Sequence, residues 1–141
     1  TLVAVAAERV LATRDGMTIE LAGRPLVFLD TPGHARHHHA VWDERSRGWF
    51  TGDTFGLSYR EFDSERGPWM LPTSTPVQFE PEMLIASIRR LLAAGPDCVY
   101  LTHFGRLAMS CRWRRCWVAA AWKGSSGAPR CGSSLMSSFL A

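Results

Sequence analysis

Hydrophobic positions ahead of residue 106 fall into short runs punctuated by turn residues, with one long helical stripe among them. Residues 17–21 (MTIEL) alternate as a strand, and Ala22-Gly23-Arg24 supplies a turn. Residues 25–30 (PLVFLD) then form a continuous apolar run, which predicts a strand buried on both faces. Thr31-Pro32-Gly33 breaks it. Residues 2–13 read as the end of a helix, closed by the turn pair Asp15-Gly16. Residues 40–42 (AVW) and 49–51 (WFT) flank the polar stretch DERSRG, which predicts a β-hairpin. With its centre near Ser46, position 39 would lie opposite position 53.

Residues 57–78 hold Pro68, Pro72 and Pro76 with Trp69, and predict a long surface loop of the kind that often roofs a site. The helical stripe is at residues 79–97, where Met83 or Leu84, Ile88, Leu91 and Leu92 recur on one face. Pro81 suits its first turn, Gly95 its cap and Pro96 its stop. Residues 98–102 (CVYLT) predict a short buried strand ending at His103, with Gly105 just beyond. These elements make an α+β domain over residues 1–105.

Charge divides the chain at the same point. Residues 1–105 hold ten arginines against thirteen acids, whereas residues 106–141 hold five arginines, one lysine and no acid. The net +3 therefore belongs to the tail, and no nucleic-acid partner is expected for residues 1–105. No run approaches the ~18 apolar residues of a membrane span. Cys98 reads as a buried small hydrophobe. The tail cysteines Cys111, Cys116 and Cys131 make no C-x2-C pair, which argues against a zinc knuckle. A reducing, cytoplasmic setting is the expectation. The chain opens on Thr1 rather than Met and carries no visible secretory signal, so preceding sequence is expected.

The densest chemistry is in residues 30–42 (DTPGHARHHHAVW), which hold His34, His37, His38 and His39; His103 is the only other histidine. Strand and turn geometry brings His34 toward Asp53, and His103 ends another strand. Each has a glycine at hand: Gly33, Gly52 and Gly105. Loops at one end of a rigid sheet are where sites are built. Imidazole and carboxylate suit zinc or iron, and an aspartate can bridge two ions through its two oxygens. The plainer alternatives are a solvated turn histidine at 34, a turn-starting aspartate at 53 and a hydrogen-bonded core histidine at 103. His38 is expected behind the ligands or on a pocket wall, or else exposed, and His37 and His39 at the surface or in packing. Tyr59 and Trp69 either line a pocket from the long loop or simply pack.

TPGH, then FTGD, then a late LTH after a helix and a short strand, resembles the metallo-β-lactamase fold superfamily from about Asp15 to Gly105. The hairpin DGMTIELAGRPLVFLDTPGHA is similar to the one leading into that family's third metal motif. The resemblance implies that His34 completes the histidine ligation of one metal, that Asp53 bridges both metals and that His103 binds the second. It also implies a dinuclear centre, of zinc or else of iron or manganese, a metal-bound hydroxide as nucleophile and a small-molecule substrate. The family's His-x-His-x-Asp-His motif is absent, since no histidine precedes His34. The resemblance therefore covers roughly the second half of a four-layer αββα sandwich. The competing readings are an inactive or partner-dependent half-domain, and a tail whose interleaved Arg and Trp (residues 110–123) bind a membrane surface or nucleic acid.

The tail fits the domain poorly. From about Leu107 it has three Trp, three Cys and seven Ser but no acid, a composition that a GC-rich gene tends to encode out of frame. Reading the DNA one base over near codon 107 is expected to yield a charged amphipathic helix. Stop codons or equal nonsense in that frame would refute a frameshift.

Overall fold

The structure, a computed structural model, describes residues 3–65, 67–71, 73, 77–103 and 105–109. Six strands form one sheet in sequence order: β1 (Thr18–Leu21), β2 (Arg24–Asp30), β3 (His39–Asp43), β4 (Gly48–Gly52), β5 (Cys98–Leu101) and β6 (Gly105–Ala108). All neighbours are antiparallel except β4 and β5, which are parallel. The link between those two contains α1 (Pro81–Ala93). The β1–β2 turn is tight because Ala22 and Gly23 both take positive φ, 52° and 73°, matching the twist of the strands they join.

The helix forms where the stripe predicts it. Pro81 begins it, and Leu84, Ser87, Ile88 and Leu91 are its buried positions. Leu84, Ile88 and Leu91 pack with Ala40, Trp49, Val99 and Leu101 into one core, and the Trp49 indole N–H donates to the Leu91 carbonyl at 3.0 Å. Side chains alternate across a strand, so Phe50 points to the other face. It stacks on Tyr100 there, ring centroids 4.6 Å apart, and remains 45% exposed. The described residues thus supply one β layer and one α layer.

That arrangement corrects two expectations. Residues 25–30 are not buried on both faces: Leu26, Val27, Phe28 and Leu29 are all half-buried. Where the sequence predicts the end of a helix over residues 2–13, the described residues 3–13 hold one 3-10 turn, Ala7–Arg9, with Val3, Val5, Val10 and Leu11 exposed. Without an apolar face to pack on, so short a segment cannot offset the cost of nucleating an α-helix. A third difference lies at residue 106. β6 pairs with β5 across the expected boundary, and Leu107 and Met109 are buried in the core. The domain therefore continues at least to Met109. The tail cysteines and Trp113, Trp117 and Trp122 lie outside the described residues.

A buried charge closes the hairpin. Asp43 is fully buried at the end of β3, where its carboxylate accepts from the Arg24 guanidinium and from the Ser46 backbone N–H and hydroxyl. The Arg24 hydrogen bond holds this carboxyl well below the usual carboxylate range, against the opposing effect of burial. Because the folded-state pKa is depressed, the stabilisation is complete above the ordinary value of 3.8 and is lost as pH falls toward the folded-state value. Asp43→Asn is expected to lower stability by about 1–3 kcal/mol at neutral pH and to flatten the acid limb of a pH–stability curve from chemical denaturation. An unchanged acid limb would remove Asp43 from that role.

Candidate metal centre

Parallel pairing puts the C-terminal ends of β4 and β5 side by side, and these ends carry Asp53 and His103. Because β3 runs antiparallel to β4, the loop entering β3 reaches the same end, and it carries His34. The three residues meet there. Asp53 stands between the two imidazoles, its Oδ2 3.5 Å from His34 Nε2 and its Oδ1 3.3 Å from His103 Nε2. The His34 side chain is 13% exposed and that of His103 52%, so one flank is enclosed and the other open.

These contacts are close but are not hydrogen bonds. Asp53 Oδ1 and His34 Nδ1 are buried with no hydrogen-bond partner. A buried carboxylate oxygen without a donor is uncommon and costly. The donor set, two imidazoles about one carboxylate, has the chemistry of a first-row metal site. Its size falls short of one. Among the described residues no group of three or more His, Cys, Asp or Glu is arranged to hold an ion by itself. The donors fit a share of a metal centre rather than a whole one.

Two glycines position the set. Gly33, at φ 129°, lies against the first turn of α1: an added Cβ would fall 2.1 Å from the Leu84 backbone nitrogen. The Glu80 N–H donates to the Gly33 carbonyl at 2.7 Å, and Ser87 Oγ donates to the Pro32 carbonyl at 2.7 Å, so α1 fixes the loop that bears His34. Gly52, at φ 52°, sits at a register irregularity between β4 and β5. Such a bulge re-aims the next side chain, here Asp53.

His38 lies behind Asp53. Its Nε2 accepts the Asp53 backbone N–H at 3.1 Å, and its ring lies against Gly52. Burial, and then the neighbouring His34, push the His38 pKa down. This corrects the hairpin register. Asp43 pairs with Gly48 across a four-residue loop, residues 44–47, with Arg47 at φ 47°. The turn centre thus falls half a residue before Ser46, and position 38 rather than 39 faces position 53. His37 and His39 are exposed, and the His39 ring packs on Phe28 at 5.4 Å.

The long loop contributes less directly. Tyr59, Phe62 and Trp69 pack together, with Tyr59 and Trp69 centroids 5.8 Å apart. The loop reaches the site through the Ser58 N–H on the His103 carbonyl at 3.3 Å and the Thr73 hydroxyl on the Asp53 carbonyl at 2.7 Å. Thr31, Thr54, Ser58 and Thr73 are supporting residues that sequence reasoning missed. A buried threonine in a loop has no spacing signature, and only the motif neighbours of Thr31 (TPGH) and Thr54 (GDT) pointed near them.

Gly33→Ala is expected to cost about 3 kcal/mol or more, because the Leu84 backbone cannot yield as a flexible side chain could. Thermal unfolding of the variant measures it, and a loss below about 1 kcal/mol would show that α1 can shift.

Residues 3–103 match the family model described as the metallo-beta-lactamase superfamily. The chain is 29% identical over 98 residues to the metallo-beta-lactamase fold-containing protein ST1585 of Sulfurisphaera tokodaii, covering 70% of this chain and 34% of that protein. The ST1585 crystal structure aligns over 89% of this chain and 43% of its own, with a TM-score of 0.63 and 24% identity. The structure of TTHA1623 in a di-iron-bound form aligns with a TM-score of 0.51 and 28% identity, over 71% of this chain and 43% of that one. ETHE1 from Myxococcus xanthus shares the fold at a TM-score of 0.51 and 19% identity, over 70% of this chain and 40% of that one. The chain spans between about a third and under half the length of these relatives.

Proposed function

The chain belongs to the metallo-β-lactamase superfamily, and from that premise we propose that it is the C-terminal half of a metal-dependent hydrolase domain, with His34, Asp53 and His103 as its share of a two-ion site. One observation carries this reading: the Asp53 carboxylate turns one oxygen to each of two histidines, and its buried Oδ1 has no hydrogen-bond partner. His34 would serve one ion and His103 the other, while Asp53 would touch both. Zinc, iron or manganese suits such donors. When bound, ions of this class polarise the bond to be broken and acidify a water. The chain's own part is to keep Asp53 in register and the His34 flank closed to solvent. Tyr59 and Trp69 would wall the apolar part of a small substrate, an activated ester or thioester being the probe of choice. A cytoplasmic setting and the absence of a nucleic-acid partner for residues 1–105 belong to the same proposal.

A second reading, a non-catalytic half that needs a partner, is favoured by the lack of a three-donor group able to hold an ion among the described residues. A catalytic zinc ordinarily has three protein ligands and an open position. Joined to an N-terminal half bearing His-x-His-x-Asp-His, the chain is expected to bind two first-row ions, measured by elemental analysis after dialysis, and to hydrolyse a thioester. His103→Ala should weaken the second ion more than the first. Equal loss of both, or of neither, would count against the ligand assignment. The 141-residue chain alone is expected to show little or no turnover. Zinc-dependent turnover without a partner would overturn the half-domain reading.

A further inference from the structure

We propose that His38 is a positioning residue: a neutral imidazole, protonated on Nδ1, that fixes the backbone of Asp53 and ties it to the TPGH loop. The Asp53 N–H is 3.1 Å from His38 Nε2. A backbone N–H can only donate, so Nε2 is an acceptor and carries no hydrogen. A neutral ring then bears its hydrogen on Nδ1. That atom faces two hydroxyls, Thr31 Oγ1 at 2.9 Å and Thr54 Oγ1 at 3.0 Å, and the Thr54 hydroxyl donates to Thr31 Oγ1 at 3.3 Å. Both threonines are buried, and their hydroxyl oxygens are the acceptors within reach of the Nδ1 hydrogen. The opposite tautomer would set the Nε2 hydrogen against the Asp53 N–H.

Three chain segments meet at this ring: Thr31 before the loop, His38 at its end, and Asp53-Thr54 after β4. The Thr31 N–H also donates to the His38 carbonyl at 2.9 Å, which closes the loop on itself. Gly52 permits the contact, since a Cβ there would lie 2.5 Å from His38 Nε2. With Thr73 holding the Asp53 carbonyl from the other side, both backbone polar groups of Asp53 are engaged and its carboxylate alone is left over. The consequence for metal affinity rests on the proposed ligand role of Asp53; the backbone contact does not.

The test uses the full 141-residue chain, its His38→Gln variant, whose amide oxygen can accept as Nε2 does, and His38→Leu, which cannot accept. Long-range nitrogen–proton NMR correlations should show Nε2 of wild-type His38 unprotonated and Nδ1 protonated. Amide exchange at Asp53 should speed up about tenfold in His38→Leu, stay near wild type in His38→Gln, and leave Trp49 unaffected. Added zinc should bind about tenfold more weakly to His38→Leu than to wild type. A hydrogen on Nε2 or unchanged Asp53 exchange in His38→Leu overturns the proposal, whereas unchanged zinc affinity alone counts against the ligand role of Asp53. If His38→Leu does not fold, the wild-type tautomer and His38→Gln decide. If wild type alone binds no zinc, the half-domain reading is favoured, and the tautomer and exchange results by themselves judge the contact.

Discussion

Two parallel neighbours in a sheet cannot be joined by a tight turn, so the chain must leave β4 at the end carrying Asp53 and return along the whole sheet before β5 begins. The return is α1, and its apolar stripe has one face of the sheet to cover. Covering that face puts its first turn against Gly33, where no side chain fits. His34 follows directly, and β5 then delivers His103 beside Asp53. The positions of all three donors thus descend from one pairing and the helix it requires.

Around Asp53 the polar contacts divide unevenly. Its backbone N–H and carbonyl are both paired, to His38 and Thr73, while its buried Oδ1 has no hydrogen-bond partner. A protein interior seldom leaves a carboxylate oxygen in that condition. Asp43 shows the usual treatment, with a guanidinium, a hydroxyl and a backbone N–H on its carboxylate. One chain thus surrounds the Asp43 carboxylate with donors and leaves Asp53 Oδ1 with none, although the Asp53 backbone is held on both sides.

The half-buried β2 and the exposed Phe50 follow from the same architecture. The helix covers one face of the sheet, and the described residues place no layer on the other. In a four-layer αββα sandwich that second face meets another sheet. The relatives are more than twice as long as the segment they share with this chain. On the half-domain reading proposed above, the small donor set and the uncovered sheet face would have one common origin.

Local chemistry made much of this legible in advance. The 3.6-residue stripe and Pro81 marked α1, Ala22-Gly23 marked the first hairpin, and a glycine near each donor marked the strand ends where His34, Asp53 and His103 stand. Those signals act over a few residues and depend little on what packs beside them. The reading failed where packing decides. An apolar run cannot reveal how many of its faces will be covered, and β2, whose run predicts burial on both, is half-buried. Residues 3–13 carry helix-forming side chains but find no surface to pack on. A half-residue shift in the turn centre sets position 38 rather than 39 opposite position 53, because hairpin register is set by the turn's backbone geometry and the side-chain period is only two. Thr31, Thr54 and Thr73 gained their roles only when segments far apart in sequence closed around one aspartate. Residue types and spacings determined which groups could do the chemistry; the parallel pairing and the helix docked on Gly33 decided which of them would meet.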